Sequence, residues 1–188
     1  DIKRNKSKQV LLDNKKRKHE FDYVVLASHT DQSSRIISNS DQKLSKLLKD
    51  FRYQNNLAYL HFDQSIMPKN RLVWSSWNYY TDSKKQISCI TYWMNKLQNL
   101  NTEKNIFITL NPINIPSENK IIKIFKYEHP IYDQNSLNVQ KQIEEYQGKN
   151  NIYFAGAWNG YGFHEDGIKS ALNIVKKLNI DINWLLNK

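Results

Sequence analysis

The distribution of glycine constrains this chain more than any other feature of its sequence. All five glycines lie between Gly148 and Gly167, and none precedes them. A loop that cradles phosphate needs glycine, because its backbone adopts left-handed torsions and passes within contact distance of the phosphate. Neither a G-x-G-x-x-G turn nor a P-loop can therefore occur before Gly148. Any nucleotide chemistry is confined to the C-terminal segment.

Composition excludes several other classes. A chain of 188 residues, 39% hydrophobic and 12% aromatic, can bury a real core and is not disordered. Mean hydropathy is −0.74, and no run approaches the roughly 18 apolar residues of a membrane span. The chain opens Asp1-Ile2-Lys3-Arg4, without initiator Met or apolar h-region, so no signal peptide and a fragment of a longer protein are expected. Cys89 is the only cysteine, which excludes an intrachain disulfide and a cysteine metal cluster and points to a reducing, cytoplasmic setting. The net charge of +10 draws heavily on Lys3, Arg4, Lys6, Lys8, Lys15, Lys16, Arg17 and Lys18. With no zinc-finger spacing, arginine-rich helix or RNP-type aromatic pattern, this reads as a solvated lysine-rich face, and nucleic acid is not expected as a partner. The competing reading is a non-enzymatic remnant or basic module that binds nucleic acid or an anionic membrane.

Periodicity divides the chain. Residues 1–20 alternate charge with apolar pieces such as Val10-Leu11-Leu12, as in a hairpin arm whose partner lies outside the chain. Phe21–Ser28 is a near-continuous apolar run, expected as a strand buried on both faces. Ile36, Ile37, Leu44, Leu47, Leu48 and Phe51 follow at helical spacing, with Asp41 placed to cap a second short helix. Alternating segments at 56–62, 73–79, 87–93, 107–110 and 121–127 predict an antiparallel sheet, with a turn at Met67–Asn70 and a short helix after Trp93. The tryptophans read mainly as core or sheet-face residues. Residues 134–146 form an amphipathic helix with Leu137, Val139, Ile143 and Tyr146. Then come a strand, Asn151–Gly156, a tight loop, Ala157–Phe163, and a helix, His164–Leu178, expected to bury Ile168, Ala171, Leu172, Val175 and Leu178. The fold class is α/β, an α+β mixture with α/β character at both ends around an antiparallel sheet.

The closing strand, loop and helix carry the chemistry. Gly156 permits close approach, Gly160 and Gly162 permit sharp turns, and the amides from Phe163 to Asp166 with the helix dipole favour an electron-rich oxygen. An ordinary loop, with Glu165 and Asp166 completing the first helical turn, fits the same residues. His164 either orients a ligand or caps the helix, and His29 either lines a site or sits in a plain loop. His61 with Asp63 resembles a metal or acid/base pair but lacks a third ligand. Cys89, within an apolar strand, reads as a core residue.

Phe154-Ala155-Gly156, the glycine loop and Gly167-Ile168-Lys169-Ser170-Ala171 resemble the C-terminal flavin-binding segment of the FAD-dependent amine oxidase superfamily, which includes protoporphyrinogen oxidase and phytoene desaturase relatives. Further pieces in the same order extend the resemblance over residues 20–178, to predicted bacterial NAD/FAD-binding proteins. These include Phe21–His29, Leu60-His61-Phe62-Asp63, Trp74-Ser75-Ser76-Trp77-Asn78-Tyr79, Thr91-Tyr92-Trp93-Met94-Asn95, His129-Pro130 and Gly156–Gly167. The resemblance implies FAD as cofactor and Gly156, Ala157, Trp158, Gly162, Phe163, His164, Glu165, Asp166 and Gly167 as cofactor-binding residues. No catalytic residue and no metal follow from it. It implies residues 1–30 as returning strands of an FAD domain, 31–130 as a substrate domain, and 131–188 as the closing helix, strand and helix of the FAD domain. In the intact enzyme a small-molecule or lipid-like substrate would give a hydride equivalent to flavin. Ala157 departs from the acidic residue many relatives place after the strand glycine. The family's N-terminal G-x-G-x-x-G is absent too, so the chain is expected to be the C-terminal part of a larger oxidoreductase, inactive alone, whose partner is a Rossmann segment encoded upstream.

Overall fold

The computed structural model describes residues 2–5, 8–84 and 86–181. The chain forms two compact units, one of Asp1–Tyr53 with Pro130–Lys188 and one of Gln54–His129. The helices after residue 30 belong to the first of these compact units, whose first segment runs to Tyr53. The reason is packing: Ile37, Leu44, Leu48 and Phe51 join one core with Val24, Leu26, Ile152 and Phe154.

In the first unit, β1 (Ile2–Asn5), β2 (Lys8–Leu12) and β3 (Lys18–Phe21) make an antiparallel three-stranded sheet. The arm expected to pair outside the chain thus pairs within it. Asp13 explains the turn: its carboxylate accepts from the amides of Lys15 at 2.8 Å and Arg17 at 2.9 Å, while Lys16 takes a left-handed φ of 61°. The long strand expected over 21–28 is also divided. Phe21 ends β3, and β4 (Val24–Leu26) pairs in parallel with β10 (Ile152–Phe154) in a separate sheet. That sheet is not buried on both faces, since Val25 is 46% exposed.

Helix α1 spans Thr30–Ile37 and α2 spans Gln42–Lys49, the latter capped by Asp41, whose carboxylate accepts from the Leu44 amide at 2.8 Å. Helix α4 (Gln134–Tyr146) buries Val139 and Ile143 but leaves Leu137 exposed. Helix α5 (His164–Lys177) buries Ser170 and Ile174; of the stripe expected from periodicity, Leu172, Val175 and Leu178 are half-buried, whereas Ile168 is 57% exposed and Ala171 is exposed. A 3.6-residue period identifies an apolar stripe but not what covers it.

The sheet of β4 and β10 is closed on one edge only. Gln147 accepts from the Phe154 amide at 2.9 Å and donates to the Phe154 carbonyl at 2.7 Å, and the Gly148 amide donates to the Ile152 carbonyl at 2.9 Å. These groups take the place of a neighbouring strand on β10. Among the described residues, no strand pairs with the far edge of β4.

The second unit holds a five-stranded sheet in the order β6, β7, β8, β5, β9. Its strands are β5 (Tyr53–His61), β6 (Trp77–Asp82), β7 (Ile87–Trp93), β8 (Phe107–Leu110) and β9 (Ile121–Pro130), with a short helix, α3 (Met94–Leu97), after β7. The pairs β6/β7, β7/β8 and β5/β8 are antiparallel. The strand expected from Val73 begins only at Trp77, because Asn70 accepts from the Leu72 amide at 3.0 Å and winds Arg71–Val73 into a 3₁₀ turn. Trp74 packs edge-on against Phe107 and Trp93, as expected of a core tryptophan. No helix of the described residues is long and apolar enough to cross a membrane.

Candidate functional site

Parallel strands place their ligands beyond their carboxyl ends, and here those ends bring together two distant segments. Leu26 lies opposite Phe154, and the Ala155 amide donates to the Leu26 carbonyl at 3.1 Å. Beyond β4 come Ser28 and His29; beyond β10 comes Gly156. Gly156 has φ +149°, and a Cβ there would stand 2.7 Å from Trp158 Cδ1 and Nε1. Its glycine is thus required by the neighbouring indole. Trp158 is buried, and its Nε1 donates to the Ser28 carbonyl at 3.1 Å, joining the two segments. Gln140 from α4 donates to the carbonyls of Trp158 and Gly160, each at 2.7 Å. Ser170 from α5 accepts from the Gly156 amide at 2.9 Å and donates to the Gly167 carbonyl at 2.7 Å. At Gly167 the first turn of α5 lies against Ala157, where a Cβ would stand 3.7 Å from the Ala157 nitrogen, an ordinary contact.

At the start of α5 the amides are partly engaged from within. The Asp166 carboxylate turns back to accept from the Tyr161 amide at 2.9 Å and the Phe163 amide at 3.0 Å. Asp166 and Gly167 donate their own amides to the Phe163 carbonyl at 3.0 and 3.2 Å. The Phe163 and Asp166 amides are therefore already engaged within the chain and are not free to meet a ligand oxygen. Among the described residues, the amides of His164 and Glu165 are left without an acceptor, at the positive end of the helix dipole. Around them the surface is aromatic: Tyr161 and Phe163 are each 69% exposed.

A residue that spacing alone does not reveal completes the site. Gly162 has φ +90°, and a Cβ there would stand 2.6 Å from Tyr132 Oη. That hydroxyl is buried with no hydrogen-bond partner among the described residues. Burial, helped by Tyr53 and Asp166, pushes its pKa up to about 12, so it remains a proton donor at neutral pH. Tyr132 lies between β9 and α4, thirty residues before Gly162, and only the fold joins them. Two further buried atoms, His29 Nδ1 and Asp31 Oδ1, have no hydrogen-bond partner among the described residues and face each other at 4.0 Å. The His29 ring stacks on Tyr53 at 4.5 Å, and Tyr53 Oη accepts from the Thr30 amide at 3.0 Å. Phe51 stands edge-on to both Tyr132 and Trp158 and forms the apolar floor.

The other candidates lie in the second unit. His61 Nδ1 accepts from the Asp63 amide at 3.1 Å, and Nε2 contacts Thr109 Oγ1 at 2.8 Å. Burial holds this imidazole neutral, with its pKa lowered to about 4. Burial would raise Asp63, but the Ser117 amide, Lys120 and both donors of Ser65 hold it well below the usual carboxylate range. The pair is a structural one. No group of three metal-ligating side chains occurs among the described residues, and Cys89 is buried.

No protein-family profile matches the sequence, and no curated protein matches it either. Solved structures do. The chain is similar to a fatty acid isomerase from P. acnes that produces CLA, at 12% identity and TM-score 0.61, over 94% of this chain and 46% of that one. It is similar to a protein described as a protoporphyrinogen oxidase from Exiguobacterium sp. 255-15, at 12% identity and TM-score 0.60, over 94% and 45%. It is also similar to reduced UDP-galactopyranose mutase, at 12% identity and TM-score 0.60, over 90% and 44%. At this identity the likeness is one of fold. The chain spans slightly less than half the length of these structures.

Proposed function

We propose that this chain supplies one part of the flavin site of an FAD-dependent oxidoreductase of the amine oxidase type. The observation that carries the reading is the convergence, beyond the carboxyl ends of β4 and β10, of the Gly156–Gly162 loop, the unpaired amides of α5 and the buried Tyr132 hydroxyl. The sequence resemblance supports this reading, and so does the fold shared with a protein described as a protoporphyrinogen oxidase. The open edge of β4 and the outward stripe of α5 fit a sheet that continues with the Rossmann segment absent here.

The residues present fit a flavin. The His164 and Glu165 amides suit an electron-rich oxygen at the ring edge, and the exposed Phe163 and Tyr161 suit an aromatic ring face. Gly156, Ala157, Trp158 and Gly167 set the path of the loop, while Asp166 holds its tip and partly balances the helix dipole. When bound, flavin accepts a hydride equivalent from the substrate. The protein's contribution is to hold the ring edge, keep the Tyr132 proton in place and present a preorganised positive dipole.

Because the ribose and pyrophosphate half of the site is missing, the purified chain should not retain stoichiometric FAD, and adding a Rossmann segment of G-x-G-x-x-G type should restore it. Visible absorbance of the purified species measures this. A yellow stoichiometric complex of the chain alone, or a colourless one with the segment bound, overturns the reading.

A further inference from the structure

The second unit contains a cavity of about 450 Å³, within the range of small-molecule sites. It lies between β6 and β7 on one side and the loops at 65–69 and 113–114 on the other. Ile66, Met67, Tyr79, Tyr80 and Ile113 give it an apolar and aromatic wall. Among the described residues, Lys69 is its one charged lining residue, no carboxylate lines it, and Lys69 has no ion-pair partner.

The polarity of one wall follows from a buried chain of hydrogen bonds. The Asp63 amide donates to His61 Nδ1, so the proton of the neutral imidazole sits on Nε2 and is donated to Thr109 Oγ1. Thr109 is fully buried, and Thr91 Oγ1, 2.9 Å away, is the remaining acceptor for its own hydroxyl proton. Thr91 therefore accepts from Thr109 and keeps its own proton to donate. Thr91 lines the cavity. The same imidazole that looks, in the sequence, like half of a metal or acid/base pair acts as the fixed origin of a directed chain.

We propose that this cavity binds an amphiphilic monocarboxylate, its apolar body against the aromatic wall and its carboxylate accepting from Thr91 and paired with Lys69. The donor polarity and the lone positive charge both select an anionic acceptor over a cationic or neutral headgroup. The inference rests on the unit Gln54–His129 alone and does not depend on the flavin reading.

Cys89 makes the test direct, since it lines the same cavity and is the chain's only cysteine. Submicellar dodecanoate should bind in calorimetry and slow alkylation of Cys89 by iodoacetamide, whereas dodecyltrimethylammonium should do neither. Lys69→Ala should weaken dodecanoate about fivefold, and Thr91→Val about tenfold. Thr91→Ser, which keeps the donor, should retain affinity, and dodecanol binding should not change in Lys69→Ala. Absence of dodecanoate binding overturns the proposal. So does equal protection by the two amphiphiles, or dodecanoate affinity unaltered by both Lys69→Ala and Thr91→Val in variants with unchanged circular dichroism.

Discussion

The two units differ in the buried polar atoms they leave without a hydrogen bond. In the unit Gln54–His129, His61, Asp63, Thr91 and Thr109 are almost wholly buried and all are hydrogen-bonded. In the other unit, the buried Tyr132 Oη, His29 Nδ1 and Asp31 Oδ1 have no hydrogen-bond partner among the described residues. An unpaired buried polar atom costs about 1–3 kcal/mol, so a fold retains such atoms where something else pays in function. The same unit leaves Val25 and Ile168 outward and one edge of a two-stranded sheet open. In one unit the buried polar side chains named are all bonded, while the other keeps unpaired buried atoms beside an outward apolar surface.

The strongest way to break this comparison is to remove the floor of the open unit. Phe51 is 1% exposed and contacts Tyr53, Tyr132 and Trp158. Phe51→Ala should cost roughly 3–5 kcal/mol and, if the units are energetically separate, should leave the environment of Trp74 and Trp93 unchanged. Denaturation followed by circular dichroism, with NMR of the indole N–H groups, checks both. Loss of the Trp74 and Trp93 signals together with that of Trp158 would show that the two units unfold as one.

Acid sharpens the contrast from the other side. The pKa of His61 is lowered from 6.5 to about 4, so between these values the unfolded chain binds the proton that the folded one refuses. Stability therefore falls as pH drops through this window, by on the order of 3 kcal/mol at pH 4. Asp63, also held below its ordinary value, adds a further loss below its unfolded pKa of 3.8. Both effects belong to the unit Gln54–His129. Urea denaturation between pH 7 and 4 should show this slope, and His61→Gln should flatten it.

Much of the fold is legible in the sequence where periodicity and chemistry agree. Asp41 caps α2 as expected, and the strand at 87–93, the helix at 134–146 and the strand–glycine–helix order at the C-terminus stand where the pattern puts them. Differences arise where a local side-chain contact overrides the pattern, as at Asn70, or where burial depends on what lies alongside, as at Val25 and Ile168. The glycine loop was visible, but the inward turn of the Asp166 carboxylate was not, since an acidic residue in a first helical turn equally well faces solvent. Tyr132 carries no local signal at all. Its place in the site arises from packing between segments far apart in sequence.

The finest test of the open unit uses that tyrosine. Gly162→Ala puts a methyl group into a left-handed backbone, 2.6 Å from Tyr132 Oη, and should cost about 1–2 kcal/mol. Tyr132→Phe removes the obstructing hydroxyl, so the double variant should recover part of that loss while the backbone strain remains. Alone, Tyr132→Phe should be neutral or stabilising by up to about 1 kcal/mol, because it deletes a buried donor that has no acceptor. Thermal unfolding of the four proteins gives the coupling directly. If Tyr132→Phe instead destabilises the isolated chain, the hydroxyl already has a partner within the fold. If it is neutral there but weakens flavin retention in the reconstituted pair, the missing partner of Tyr132 is the ligand.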